Sequence, residues 1–323
     1  MNHQELEQIC LYLDLGDPED LLKPVSGGLI HKMWQVKTNK GRFAIKELSQ
    51  LINFNDDTKK AYERSEELAR SFQQAGIAAV AAISKNGHSL IELKTSHFLC
   101  YPWFDGKTLT LGEISQKHAI KIAKVLAKIH QVSLAQFGSQ HLSFDTCSNE
   151  LISSLCGTAL TQHQAMLLRL NQRYQAAIPV LEKTGLISHT DLDPKNVLWD
   201  SAENPYLIDW ESARAINLTH DIIQLALDWT GCATCSINMP AFQLMLRSYQ
   251  EAGGKIDDEQ IEDALYAILG NAINWLVFNI KRKLNLSLNP DEHKMAQYQV
   301  ETTLKSMHYL HDNLALIMNA AKL

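Results

Sequence analysis

Apolar and polar positions recur with two different periods along this chain. In the first hundred residues the period is close to two. The runs "MWQVKT" (33–38), "RFAIKEL" (42–48) and "HFLCYPW" (97–103) read as strands, and "NKG" between the first two reads as a tight hairpin turn. Between them, "DTKKAYERSEELARSFQQAG" (57–76) shifts to helical spacing, with Ala61, Leu68 and Phe72 on one stripe and Gly76 placed as a C-terminal cap. This predicts a small sheet with one helix packed on it. Beyond "FDGKT" (104–108) the pattern becomes that of long amphipathic helices, at "SQKHAIKIAKVLAKIHQVS" (115–133), around "AMLLRLNQRYQAAI" (165–178) and at "DDEQIEDALYAILGNAINWLVFNIKRKL" (257–284). Two short strand-like runs, "NVLW" and "YLI", interrupt that helical part between about Gly185 and Asp209. No repeat or low-complexity tract is visible. The expected organisation is α+β: residues 1–101 form a small antiparallel sheet with its helix, 102–108 a hinge, and 109–323 a mainly helical unit.

Composition narrows the function classes. With 323 residues, 46% hydrophobic and 20% charged, the chain is long enough to bury a large core and to divide into two units. A formal net charge of -6 gives no basic footprint for nucleic acid or for an anionic membrane. The start "MNHQELEQICLYLDL" lacks the basic and apolar blocks of an export signal, and no stretch approaches about 18 uninterrupted apolar residues. A cytoplasmic protein is expected. Six cysteines in such a chain read as reduced thiols, and the pair Cys232 and Cys235 reads as two apolar positions of a helix with no metal, because no second pair stands at ligand spacing.

The polar residues set between the two short strands carry the chemistry. "SHTDLDPKNVLWD" (188–200) holds His189, Asp191 and Asn196 in one loop, and "YLIDWESA" (206–213) delivers Asp209 at the end of the next apolar run. A phosphoryl group in flight carries negative charge on its oxygens, so its catalyst mostly positions the partners, holds metal ions and orients the attacking hydroxyl. Asp191 suits the acceptance of a hydroxyl proton, Asn196 offers a neutral amide oxygen to a magnesium ion, and Asp209 offers it a carboxylate. His189 reads as a brace for the loop. The plain alternative is a polar turn followed by a surface acid.

Upstream, "VSGGLIHKMWQV" (25–36) sets Gly27 and Gly28 between strands, which lets backbone amides approach phosphates, although an ordinary hairpin explains the pair equally well. In "FAIKEL" Lys46 shares its strand face with Ala44 and Leu48, so its ammonium needs a charged partner, and phosphates would supply one. Glu63, Glu66 and Glu67 on the following helix offer carboxylates to the same lysine, with a solvated acidic face as the alternative.

Taken in order, Gly27-Gly28, "FAIK", the acidic helix, "YPWFDG", "HTDLDPKN" and "IDWE" resemble the aminoglycoside phosphotransferase and choline kinase group of the protein-kinase-like fold, over about residues 20–230. The resemblance implies a two-lobed fold and ATP- and magnesium-dependent phosphorylation of a small-molecule hydroxyl. It implies that Lys46 touches the α- and β-phosphates and pairs with Glu66, or else with Glu63. By the same likeness Asp191 is the catalytic acid-base residue, Asn196 and Asp209 hold magnesium, and the carbonyl of Pro102 and the N–H of Phe104 meet adenine. Thr190 stands where glycine is common in such kinases, and Lys195 where a histidine or glycine is common. Lys195 is then a group that neutralises the transferred phosphate, or a solvated loop lysine. "IDWE" in place of D-F-G, with no A-P-E after it, argues against protein substrates, and Glu211 either supports the metal site from behind or faces solvent.

The acceptor is less legible. Asp228, Glu251 and the run Asp257, Asp258, Glu259, Glu262 and Asp263 invite a cationic acceptor such as an aminoglycoside. Yet "KIDDEQIEDAL" is also how a helix begins, with Asp257 and Gln260 in a capping box and acids in the first turn. Asp228, Asn271 and Trp275 are the expected acceptor contacts, with core packing as their alternative. A housekeeping kinase of choline, ethanolamine, thiamine or a sugar competes with a resistance enzyme. A nucleotide-binding pseudokinase is the rival from another class, and the intact set Lys46, Asp191, Asn196 and Asp209 favours catalysis over it.

Overall fold

Period-two alternation over residues 32–47 folds as a hairpin with a two-residue turn at Asn39 and Lys40. It is part of a computed structural model that describes residues 1–19, 22–25, 31–50, 52–183, 185–285 and 288–322, with the side chains of 156–159 left out. Gly27 and Gly28, the expected phosphate loop, lie outside the described residues. In chain order the elements are α1 (His3–Leu13), β1 (Lys23–Val25), β2 (Lys32–Thr38), β3 (Gly41–Glu47), α2 (Asp56–Gln74), β4 (Ile91–Leu93), β5 (Ser96–Pro102), α3 (Gln116–Phe137), α4 (Asn149–Ala159), α5 (Thr161–Leu181) and β6 (Leu186–Ser188). There follow β7 (Val197–Trp199), β8 (Pro205–Leu207), β9 (Arg214–Ile216), α6 (Leu218–Thr230), α7 (Met239–Glu251), α8 (Ile261–Leu284), α9 (Pro290–Asp312) and α10 (Leu314–Ala321). They form two compact units, Met1–Thr110 with Pro194–Ala213, and Leu111–Asp193 with Arg214–Leu323.

In the first unit an antiparallel sheet runs in the order β1-β2-β3-β5-β4. Alternation gives its two faces different roles. Val36, Ile45, Phe98 and Cys100 form one core with Leu6, Ile9, Cys10 and Leu13 of α1, whose i, i+3, i+4, i+7 spacing turns one stripe inward. Each of these larger side chains contributes about 1.5–3 kcal/mol by burial. That helix begins in a full capping box, in which Asn2 and Glu5 each bond the other's backbone N–H. On the opposite face Lys46 stands beside its cross-strand partner Leu99, and Leu48, Leu90 and Ala82 pack there with Tyr62 and Tyr101. Leu68 and Phe72 of α2 are buried as the stripe requires, whereas Ala61 is exposed.

The β7–β8 hairpin belongs to this unit rather than to the helical part that surrounds it in sequence. Val80 N–H donates to Leu207 O and Leu207 N–H to Ala78 O, while Lys107 and Trp199 exchange both backbone bonds. Backbone pairing therefore moves residues 194–213 across the boundary expected from helical texture alone, and the first unit ends at Thr110.

The second unit is helical apart from the short β6–β9 pair. Cys232 and Cys235 are free thiols in a 3₁₀ turn after α6, where a continuing helix was expected, because Gly231 (φ 105°) ends α6 in the left-handed conformation. Among the described residues no helix is long and apolar enough to cross a membrane.

Gly270 in α8 marks a close approach in this core: a Cβ there would stand 2.2 Å from Cγ of the fully buried Tyr174 ring. Alanine is the better helix former by about 1 kcal/mol, but overpacking a filled core costs about 1–3 kcal/mol. Packing is expected to win, so Gly270→Ala should lower the urea midpoint. An unchanged or raised midpoint would show that Tyr174 yields.

Candidate active site

Lys46 is only 6% exposed, and its ammonium is held by two carboxylates. Nζ donates to Asp209 Oδ1 at 2.8 Å and to Glu211 Oε2 at 2.7 Å. Burial pushes such a lysine toward the neutral amine, but the two carboxylates outweigh it and keep the ammonium charged well above its ordinary range. The acids reach it because the chain turns sharply after β8. Asp209 takes a left-handed backbone (φ 63°), which aspartate tolerates better than most residues, and the following 3₁₀ turn is pinned by the buried Trp210, whose indole donates to Leu207 O at 3.1 Å. Trp210 also stacks on Phe72 of α2, with ring centroids 5.1 Å apart. Burial raises the Glu211 carboxyl, yet the hydrogen bond from His31 and the Lys46 charge bring it down to about 2. The buried Asn196 ends a 3₁₀ turn and its backbone carbonyl accepts Ile208 N–H at 3.0 Å, so the expected amide ligand stands beside the residue that precedes Asp209.

The expected partners of Lys46 are engaged elsewhere. Glu66 accepts Ala82 N–H at 2.6 Å and the Tyr101 hydroxyl at 2.7 Å, while Glu63 accepts the N–H groups of Ser89 and Leu90. Burial raises the Glu66 carboxyl, offset by Tyr101, Ala82 and the nearby Lys46 charge. Backbone amides of the 82–90 segment claim the α2 acids, and the ion pair passes to Asp209 and Glu211. No local pattern distinguishes a glutamate two residues beyond Asp209 from a solvated one, so this pairing was hidden from sequence reasoning. Pro102 ends β5 opposite Phe43, and the Phe104 ring lies 4.8 Å from that of Tyr206. Lys195 is exposed.

In the second unit β6 and β9 pair antiparallel, and the chain leaves β6 through the fully buried His189 to Thr190 and the half-buried Asp191. Thr190 has φ 60°, a region costing a β-branched residue about 1–3 kcal/mol, and this is the position where glycine was the expected type. Its hydroxyl accepts from Arg214 at 3.3 Å. A buried network that no motif signals joins α3, α6 and α7: His130 bonds Asp221 at 2.9 Å and the Tyr249 hydroxyl at 2.7 Å. Burial raises the Asp221 carboxyl, but the His130 bond prevails and holds it low.

The expected acceptor residues all belong to this unit. Asp228 accepts from Gln224 at 2.8 Å, Asn271 meets His220 Nε2 at 3.4 Å, and the Trp275 indole donates to Gln299 at 3.4 Å while stacking on Phe278. Asp257 accepts Glu259 N–H at 3.0 Å and caps the turn that leads into α8. The other half of the expected capping box is absent from that geometry, since Gln260 Oε1 accepts from Asn217 instead. Glu262 pairs with Arg173.

Several known proteins are similar to this chain. The phosphotransferase enzyme family matches residues 21–250. A spectinomycin phosphotransferase, solved with ADP and spectinomycin, is similar over 99% of this chain and 98% of its own, with a TM-score of 0.63 and 15% identity. An amicoumacin kinase bound to AMP-PNP, calcium and its antibiotic is similar over 94% of each chain, with a TM-score of 0.64 and 14% identity. The choline kinase LicA of Streptococcus pneumoniae matches over 95% of this chain and 99% of its own, at 0.63 and 16%. No curated protein matches at the level of sequence. These likenesses bear out the protein-kinase-like fold class read from the motifs.

His220 supplies a pH test of this unit. Burial, outweighing the neighbouring Asp221, lowers it from 6.5 to about 4. The unfolded chain therefore takes up a proton below about 6.5 that the folded state refuses until about 4, and stability drains away as pH falls through that window. Comparing urea unfolding at neutral pH and near the lower limit, His220→Gln should lose about 2–3 kcal/mol less than the wild type. Equal losses would refute a neutral buried imidazole.

Proposed function

We propose that this chain, which belongs to the phosphotransferase enzyme family, transfers the γ-phosphate of ATP to a hydroxyl of a small molecule with the help of magnesium. The observation that carries this reading is the buried Lys46 ammonium held beside Asp209. A charge so placed is costly to bury unless it serves an anion or a carboxylate, and polyphosphate supplies the first.

The donor set fits magnesium. Asn196 and Asp209 are neighbours in one unit and offer only oxygen, and the charges of Lys46, Asp209 and Glu211 sum to minus one, which favours a cation. Magnesium bound there would neutralise charge on the transferred phosphoryl group. The remaining work falls to the chain's own residues. Lys46 holds the α- and β-phosphates, Gly27 and Gly28 approach them with backbone amides, and Pro102 O and Phe104 N–H read adenine. Asp191 takes the acceptor's hydroxyl proton, and Lys195 offers charge to the group in transit. Glu66 acts indirectly by anchoring Tyr101 and Ala82 on the face that carries Lys46. Asp228, Asn271 and Trp275 face the acceptor.

One observation ranks the acceptors. Asp257 is engaged in a cap and Glu262 with Arg173, which leaves the acidic start of α8 with less to offer a polycation. A metabolite hydroxyl therefore stands ahead of an aminoglycoside. The chemistry belongs in the cytoplasm, where thiols such as the buried Cys10 and Cys100 stay reduced.

ATP should raise the melting temperature more with magnesium than with EDTA, since a ligand at 100 times its Kd stabilises the native state by about 2.7 kcal/mol. Equal shifts, or none, would count against the nucleotide site. Separately, Asp191→Asn should keep nucleotide affinity while turnover on whichever acceptor a panel of hydroxylated amines, sugars and antibiotics yields falls by about 10²-fold or more. Near-wild-type turnover would remove Asp191 from the proposed role.

A further inference from the structure

We infer that Glu211, steered by His31, competes with the nucleotide's phosphates for Lys46, which makes His31 a positioning residue of the nucleotide site; the inference rests on the phosphotransferase reading above. The geometry fixes what His31 can do. Its Nδ1 accepts the backbone N–H of Ser49 at 3.1 Å, so that nitrogen's lone pair is in use and the ring proton belongs on Nε2. Nε2 lies 3.3 Å from Glu211 Oε2 and 3.4 Å from the Tyr62 hydroxyl. The ring is only 7% exposed, with Tyr62 packed edge-on against it. From this position His31 donates to Glu211, and the oxygen it reaches is the one that also accepts from Lys46 Nζ.

One carboxylate would be enough to keep Lys46 charged, and Asp209 provides it at 2.8 Å. The second is Glu211, held in place by a neutral donor that adds no positive charge. The cluster thus carries two negative charges against one positive. An anionic nucleotide arriving without a cation meets net negative charge and competes with Glu211 for the Lys46 ammonium, two of whose three N–H groups already serve carboxylates. Charge-assisted hydrogen bonds of this length are among the strong ones, so the competition is substantial.

Calorimetric titration of ATP, in EDTA and in magnesium, tests this on the full-length wild type, Glu211→Gln, His31→Ala and His31→Gln. Removing the competing charge should tighten metal-free ATP binding by about tenfold in Glu211→Gln. Releasing Glu211 from its guide should tighten it by about threefold in His31→Ala. In His31→Gln the amide can accept from Ser49 and donate to Glu211, so the wild-type ratio of metal-free to magnesium affinity should return. A merely structural role predicts the opposite sign, since a loosened site binds more weakly. Unchanged or weaker metal-free binding in Glu211→Gln overturns the inference, as does His31→Gln behaving like His31→Ala. Asp209 remains as counter-ion in Glu211→Gln, so the buried ammonium stays paired there, and if His31→Ala does not fold the other two variants decide. Absence of ATP binding by the wild type with magnesium would instead sink the phosphotransferase reading itself.

Discussion

A lysine ammonium inside an apolar sheet sets the terms for the rest of the first unit. Removing such an ion from water costs several kcal/mol, and the penalty is offset only by close, well-oriented negative charge. Lys46 obtains that charge from the Asp209–Glu211 turn, 163 residues away in the chain. The turn in turn depends on Trp210 packed against Phe72, and on the β7–β8 hairpin bonded to Ala78, Val80 and Lys107. The ion pair, the indole and the backbone ladder therefore hold the same twenty-residue segment, Pro194–Ala213, to the small sheet. That segment also carries both proposed metal ligands. The contacts that satisfy this buried cation are the same ones that would assemble the proposed phosphate site.

Much of this was legible because local chemistry and global fold agree. The β2–β3 hairpin, α2 and the long helices follow from periodicity and turn residues, and the order of Lys46, Asp191, Asn196 and Asp209 points to phosphoryl transfer from sequence alone. Three features were hidden for physical reasons. The α1 helix was masked because its polar start reads equally well as an unstructured terminus, and only the capping box of Asn2 and Glu5 together with the buried stripe of Leu6, Ile9 and Leu13 reveals it. The domain boundary was misplaced because backbone pairing between residues as distant in the chain as Val80 and Leu207 leaves no composition signal. The partner of Lys46 was misassigned because α2 offers three glutamates at plausible spacing, and the backbone amides that occupy Glu63 and Glu66 have no identity in a sequence.

The second unit shows a different balance. Thr190 keeps a left-handed backbone at the position directly before Asp191, and residues in such strained conformations cluster where function over-determines them. The β-branch makes threonine unfavourable there, while its hydroxyl gives Arg214 an acceptor. The same unit holds a buried polar set, His130, Asp221 and Tyr249, whose partial disruption would leave uncompensated groups in a low-dielectric core. A helical unit that tolerates this much polarity beside its short β6–β9 ladder has been shaped by more than packing.

The central claim is that the carboxylate-held ammonium of Lys46 is the phosphate contact of a kinase. The most direct measurement is a crystal structure with magnesium and a non-hydrolysable ATP analogue. Lys46 Nζ is expected within hydrogen-bond distance of phosphate oxygens, with the metal ligated by Asn196 and Asp209. Phosphates bound elsewhere, with Lys46 still holding both Asp209 and Glu211, would contradict it.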